Sequence, residues 1–501
     1  MVQGPWAGLP FTLAASPDKR QPMTQTNSLD PQDWTSLRAL GHRMIDDIFD
    51  NLAGLREGPV WQEMPPAIRA GFAEGALPAA PSDEADIYAR FQQTIAPYVT
   101  GNRHPRFLGW VHGGGNAAGM LGELLAAAYN ANLGGRDHAG IAVERQVIHW
   151  SAQMLGLPAT TGGLLVTGTS IANLIALICA RTKKLGPASR IEGIGAGGFV
   201  GYASAGVHRC VPGAFDMAGL GSGALRRIAV DAAYRIDITA LEAQIQADRA
   251  AGLQPGFLVG TAGTVDVGAI DDLTALAALA RREGIWFHVD AAFGALLALS
   301  PTRKSMLAGI EQADSVAFDF HKWAQVPYDC GCILVRDQND QLAAFSQATN
   351  YLAAAPRGLA GGQPWPCDLG PDLSRGFRAL KVWMTLMTHG SDKLGAVVDH
   401  TCALAQNLAQ RVQASPKLEL LAPAMLNIVC FRYNDSAGRL DELNADIVAD
   451  LQESGEFAPS TTIINGQLAI RVAFVNHRTE MADIDDLLAA IIGKGEKARL
   501  F

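Results

Sequence analysis

IWFHVDAAFG (285–294) and DSVAFDFHKW (314–323) are the stretches on which the reading of this chain turns. Each opens on a short apolar run of strand length and reaches a charged side chain as the strand ends, Asp290 in the first and Lys322 in the second. A carboxylate at the end of a buried strand is costly unless a cation meets it, and a protonated pyridine nitrogen is one such cation. Lys322 lies among the aromatics Phe320 and Trp323. A lysine desolvated in that way has a lowered pKa and can act as an amine nucleophile. Either charge alone would read as a cap or a solvated group; the two together in this context carry chemistry.

Outward from these segments, residues 100–385 alternate short apolar strands with helices. LLV (164–166) leads into SIANLIALICART, RIAV (227–230) into ITALEAQIQADRA, and FLVG (257–260) into DDLTALAALARREG; GCILV (331–335) follows DSVAF. Such alternation predicts a largely parallel sheet covered on both faces, with ligands bound outside the carboxyl ends of its strands. Upstream, Leu37, Leu40, Met44, Ile48, Leu52 and Leu55 recur every three or four residues and predict an amphipathic helix, followed by a second around DEADIYARFQQTIA (83–96). Their apolar face could dock on a partner subunit as well as on this chain. Residues 1–30 read as a loose arm. After a helix from Ser391 to Ser415 come strand NIVCFRY, helix LDELNADIVADLQESG, strand QLAIRVAFVN and a last helix from Met481, a small α/β unit. The expected division is an arm and helical segment (1–100), a large domain (101–385) and a small C-terminal domain (386–501).

HVDAAFG followed by DFHKW resembles the signature of the group II amino-acid decarboxylases that use pyridoxal phosphate (PLP). The likeness runs from HPRF (104–107) to RGFRALKVW (375–383). It implies an α/β fold of the aspartate-aminotransferase type (fold type I), with a large mixed-sheet PLP domain and a small C-terminal domain. It also implies a homodimer with its active site at the subunit interface. By the same resemblance Lys322 holds the cofactor as a Schiff base, Asp290 pairs with the pyridinium, Ala292 packs on a ring face, and His208 in GYASAGVHRC stacks on the ring. Thr264 in GTAGT lies near the ring substituents, and His321 sits by the phosphate. TGTSIANL (167–174) supplies a strand, a turn and a helix start, where backbone N–H groups and hydroxyls can hold an anion; Thr169 and Ser170 are the phosphate candidates. Without the resemblance both would pass as helix caps. HPRFLGWVHGGGN suggests Trp110 and His112 as the lining of a substrate pocket.

Two departures stand out. Where the family often has Asn-Pro before His-Lys, this chain has Asp319-Phe320, and a carboxylate beside a phosphate repels it unless a donor pairs with it. The stretch AAAPRGLAGGQPWPCDLGPDLS (353–374), matching a mobile loop that carries a catalytic tyrosine in many members, has none; Tyr351 lies just upstream. The expected reaction is therefore decarboxylation of an L-amino acid, aromatic in view of Trp110, to the amine and carbon dioxide. The alternative is decarboxylation with oxidative deamination to an aldehyde.

Composition excludes other classes. With 49% hydrophobic and 18% charged residues and a formal charge of −9 over 501 residues, the chain lacks the basic surface that nucleic acid or an anionic membrane requires. No apolar run is long enough to span a membrane, and no basic segment precedes the short apolar stretch near the start. Seven scattered cysteines without a CxxC pair give no metal site and suit reduced thiols in the cytoplasm. GIGAGG (193–198) matches a dinucleotide fingerprint only by spacing, since a strand-like FVGYASAG follows it. HGGG (112–115) with Gly168-Thr169-Ser170 resembles an esterase oxyanion loop and nucleophile elbow, but Ala172 stands where that motif needs glycine.

Overall fold

The structure, a computed structural model, describes residues 28–195, 198–346, 355–435 and 438–498. Most of the proposed N-terminal arm and Tyr351 lie outside these residues. Seven strands form the main sheet: β1 Gly162–Val166, β2 Phe199–Ser204, β3 Leu225–Ile228, β4 Gln254–Thr261, β5 Trp286–Asp290, β6 Ser315–Asp319 and β7 Gly331–Val335. Their order is β1-β7-β6-β5-β4-β2-β3. β7 runs antiparallel to both β1 and β6 while the pairings among β2 to β6 are parallel, so six strands point one way and β7 alone opposes them. Strands β1, β2, β5, β6 and β7 are buried at every residue, which is why they read as continuous apolar runs rather than alternating ones. β3 begins two residues before the expected RIAV, and Val230 instead bridges Ile236 across a turn.

Two close approaches need glycine. A Cβ at Gly331 would lie 2.5 Å from the Gly168 Cα and 2.8 Å from Asp319 Oδ1, so the start of β7 can pass between the ends of β1 and β6 only without a side chain. A Cβ at Gly113 would lie 2.3 Å and 2.5 Å from the carbonyl oxygens of His321 and Lys322. The HGGG segment thus packs beneath the lysine turn, and the Gly114 amide donates to Gln325 Oε1. That packing accounts for the glycines without an esterase role.

The helix Thr169–Leu185 leaves β1 and buries Ala172, Asn173, Ile175, Ala176 and Cys179 against the sheet. A buried pair fastens β1 from the side: Arg375 donates to both oxygens of Glu144 and to the Leu133 and Leu165 carbonyls, while Glu144 accepts from the Leu165 amide. The helical stretch Arg378–Ala414 breaks at Gly390 (φ 72°, ψ 163°), and its second half packs under a four-stranded antiparallel sheet. That sheet comprises β8 Leu418–Leu420, β9 Ile428–Tyr433, β10 Ser460–Ile464 and β11 Gln467–Ala473. β8 and β10 were not anticipated, being short and partly polar. Residues 193–198 follow a short helix and precede β2, the reverse of dinucleotide-fold order, and Ala196 and Gly197 are outside the described residues.

The N-terminal helices Trp34–Ala53, Pro66–Glu74 and Glu84–Thr94 bury only Leu40 and Tyr88 between them. Trp34, Ile48, Phe49, Phe72, Ile87 and Phe91 remain exposed. Among the described residues no helix is long and apolar enough to cross a membrane.

Candidate active site

The carboxyl ends of β1, β2, β4, β5 and β6 share one edge of the sheet, and the chain leaving each carries a residue singled out by sequence: Thr169 and Ser170, His208, Thr264, Asp290, and His321 with Lys322. The topology brings together at this edge side chains scattered from Thr169 to Lys322 along the chain.

Lys322 lies in the turn after β6, its ammonium 2.9 Å from Asp319 Oδ2. Burial pulls its pKa down, but Asp319, by charge and hydrogen bond, and more distantly Asp290 outweigh that, so the net displacement is upward. This is the opposite of the lowered pKa expected from apolar neighbours alone, because the counter-charge three residues upstream outweighs desolvation.

Asp319, 1% exposed, also accepts from the Thr169 amide (2.8 Å) and the Thr169 hydroxyl (2.9 Å). Both Thr169 donors expected to face a phosphate are therefore engaged by a carboxylate. Ile171 and Ala172 amides bond the Gly168 carbonyl. The exposed Ser170 keeps its amide and hydroxyl without a partner among the described residues, at the start of a 17-residue helix. His321 takes the Cys330 amide on Nδ1 (3.0 Å), which puts its proton on Nε2, 3.7 Å from Asp319 Oδ2; burial lowers its pKa.

Asp290 ends β5 and is 3% exposed. Its Oδ1 accepts from the Ala292 amide (3.1 Å) and its Oδ2 from Asn173 Nδ2 (3.1 Å). Burial raises its pKa, opposed by Lys322, those two donors and His208. His208, on the solvent side, accepts the Cys210 amide on Nδ1 (3.3 Å) and lies 2.9 Å from the Cys210 sulfur. Although the side chain reaches solvent, desolvation on its inner side lowers its pKa, with Asp290 pulling it up and Lys322 pushing it down. The Cys210 thiol, pushed up to about 12 by burial and Asp290, stays protonated. The Thr264 hydroxyl accepts the Ala269 amide (2.9 Å) and closes the turn after β4, its other hydrogen-bonding capacity being open.

A row of rings extends from the lysine turn. Tyr328 lies 4.3 Å from His321 and edge-on to His112 at 6.0 Å. His112 stacks on Phe107 (5.8 Å) and Trp110 (5.9 Å). Burial, and to a lesser degree the charge of Lys322, lowers the His112 pKa. Trp110, half exposed, adopts φ 52°, a left-handed conformation unusual for a bulky residue. It is held by Arg471 Nη1 on its carbonyl (3.2 Å). An adjoining cavity of about 430 Å³ is bounded by Asn102, Arg103, Gly113, Tyr328 and Arg478.

Sequence reasoning missed Asn173, Cys210 and Tyr328. Asn173 had a signal, a lone amide on the apolar face of SIANLIALICA; Tyr328 had none.

The donor set can be tested against the group that the resemblance implies. A buried carboxylate fixed by two donors suits a cationic ring nitrogen, a lysine amine at the neighbouring strand end suits an aldehyde, and the free Ser170 donors at a helix start suit a phosphate. These residues fit pyridoxal phosphate.

Comparison with known proteins agrees. Residues 66–434 match the model of the pyridoxal-dependent decarboxylase conserved domain. The chain is 31% identical over 475 residues to an aromatic-L-amino-acid decarboxylase of Bacillus atrophaeus, covering 93% of this chain and 96% of that one. It is 30% identical over 471 residues to a phenylacetaldehyde synthase of Arabidopsis thaliana, covering 90% and 94%. The crystal structure of Oryza sativa TDC with PLP and tryptamine superposes with a TM-score of 0.87 at 26% identity, over 94% of this chain and all of that one.

Proposed function

The chain belongs to the pyridoxal-dependent decarboxylase family, and on that premise we propose that its substrate is an aromatic L-amino acid, released as amine and carbon dioxide. It is a pyridoxal-phosphate-dependent amino-acid decarboxylase of fold type I. The observation that carries the substrate reading is the ring row Tyr328–His112–Trp110, which starts 4.3 Å from the His321 ring in the lysine turn. Aromatic rings meet one another in offset or edge-on pairs, a geometry this wall offers to a substrate ring.

Lys322 would hold the cofactor covalently, Asp290 would face its ring nitrogen, Ser170 with His321 would receive its phosphate, and His208 and Ala292 would bracket the ring, with Thr264 at its substituents. Bound there, pyridoxal phosphate supplies the electron sink for the bond that breaks. Asp290, fixed by Asn173 and the Ala292 amide, keeps a proton on the facing nitrogen. His208, its Nδ1 taken by the Cys210 amide, keeps its proton on Nε2. Asp319 neutralises the free lysine and holds the helix start in place through Thr169, so its negative charge is already paired before a phosphate arrives.

Purified protein treated with borohydride should carry the reduced cofactor on Lys322, and a panel of L-amino acids should yield amine from tryptophan, tyrosine or phenylalanine. Label on another lysine would overturn the site; turnover of glutamate with no aromatic substrate would overturn the wall. Measuring amine, aldehyde, ammonia and peroxide in air and under argon separates amine formation from the aldehyde alternative, which the tyrosine-free 353–374 stretch and the synthase relative support.

Pairing with a second copy is supported by the exposed Trp34, Ile48, Phe49 and Phe91. Light scattering should then give twice the chain mass of 53.0 kDa. A cytoplasmic location is supported by seven free thiols, six of them buried.

A further inference from the structure

Behind Asp290 runs a line of buried polar groups. Trp286 Nε1 donates to Ser315 Oγ at 2.8 Å; Ser315 Oγ meets His288 Nδ1 at 2.8 Å; His288 Nε2 meets Asn173 Oδ1 at 2.7 Å; Asn173 Nδ2 reaches Asp290 Oδ2 at 3.1 Å. All five residues are buried, His288 completely, and the Phe257 ring stacks on the imidazole at 5.4 Å and fixes its plane. From this geometry we infer that Trp286, Ser315, His288 and Asn173 are positioning residues forming a one-way hydrogen-bond chain that delivers a donor to Asp290 and so holds it as an anion for the cofactor's ring nitrogen.

The direction follows from the far end. An indole N–H can only donate, so Ser315 accepts from Trp286. The Ser315 hydroxyl hydrogen then needs an acceptor, and His288 Nδ1 is its remaining partner. His288 must therefore carry its proton on Nε2, which turns Asn173 so that its carbonyl faces His288 and its amide faces Asp290 and the Cys210 sulfur (3.2 Å). Reversing the chain would have Ser315 accept from both rings and leave its own buried hydrogen with no acceptor, an arrangement native interiors avoid. A protonated Oδ2 would in turn set an O–H against the Asn173 N–H. Burial also lowers the His288 pKa to about 3, against a smaller upward pull from the Ser315 backbone, so the ring stays neutral and the order cannot be lost by protonation near neutral pH. Asp290 is faced as well by Lys322, His208 and Cys210, but none of these belongs to the line.

The inference rests on the reading of Asp290 as the partner of the ring nitrogen, and two measurements keep them separable. In the cofactor-free full chain with ¹⁵N-labelled histidine, NMR should show His288 protonated on Nε2 and bare on Nδ1 from about pH 5 to about pH 9. Trp286→Phe should give a mixture of tautomers, and Ser315→Thr should keep the native one. A proton on Nδ1 in the wild-type protein would overturn the chain.

The second measurement compares dissociation constants for pyridoxal phosphate and for a carbocyclic analogue with C–H in place of the ring nitrogen. The wild type should prefer the natural cofactor. Asn173→Leu should shrink that preference roughly tenfold, the size of one hydrogen bond to a charged group. A merely structural defect would weaken both ligands alike and leave the ratio unchanged, which would refute the chain. No preference in the wild type would instead remove Asp290 from the nitrogen, and the chain's purpose with it. Should Asn173→Leu not fold, Ser315→Ala is read by the same ratio.

Discussion

Replacing Asp319 by asparagine should liberate the lysine. The 2.9 Å separation between Lys322 Nζ and Asp319 Oδ2 corresponds to a gross attraction of about 6 kcal/mol at an effective dielectric constant of about 20. Desolvation of the ammonium offsets much of this, and opposite charges at such range displace a pKa by about 1–3 units. The substituted amide would still accept the Thr169 N–H through its carbonyl, so the turn at the start of the helix is retained. Asp319→Asn should thus lower the Lys322 pKa in the cofactor-free protein by about 1–3 units, raising the neutral amine about 10- to 1000-fold at a given pH below the midpoint. Reductive methylation with formaldehyde and cyanoborohydride, quantified on the Lys322 peptide from about pH 6 to about pH 11, reads that midpoint directly. An unchanged or higher midpoint would show that Asp319 does not govern the amine. The ion pair would then be incidental to the chemistry.

Other substitutions test the frame. Arg375→Met leaves Glu144 as an unpaired buried carboxylate and should cost about 3–5 kcal/mol in denaturant unfolding of the cofactor-free protein; a loss under about 1 kcal/mol would contradict the pair's place in the core. Gly331→Ala drives a Cβ into the Gly168 backbone at 2.5 Å, which cannot yield as a side chain would. Its cofactor affinity should fall at least about tenfold with the far-ultraviolet dichroism retained, as befits a displaced anion-binding turn. His288 has a folded pKa of about 3, below its unfolded value of 6.5, so its contribution to stability is complete above pH 6.5 and is lost as pH falls toward 3. Between about pH 6.5 and about pH 5 it should cost roughly 2 kcal/mol, a slope that His288→Gln removes; parallel stability curves for the two proteins would refute the buried neutral imidazole.

Asp290 and Lys322 were legible because each is a charge at the end of an apolar run, a pattern that lies wholly along the chain. What lies across the sheet was not. Nothing in TGTSIANL announces that Thr169 is held by Asp319, 150 positions away, or that Asn173 serves Asp290. The direction of the Lys322 displacement was missed for the same reason: apolar neighbours in sequence predict desolvation, while the position of a nearby carboxylate depends on the turn that carries it. β8 and β10 escaped because LEL and STTII are too short and too polar to separate from loops. The second sheet was still recognisable from its two longer strands, β9 and β11. Trp110 and His112 were found as a pair, but Tyr328, which joins them to His321, comes from a turn with no pattern of its own.

β7 lies between β1 and β6, and this sets an order of events on the ribosome. Among the described residues β1 pairs with β7 alone, whose last residue emerges about 170 residues later, roughly 10–30 s at common rates of synthesis. Throughout that interval the apolar edge GGLLV has nothing to pair with and is open to chaperones or to other nascent chains. The turn at Gly168 cannot settle until Gly331 has slid in beside it. Capture of the cofactor should therefore wait for β7, and a truncated product ending before residue 331 should remain colourless in its presence.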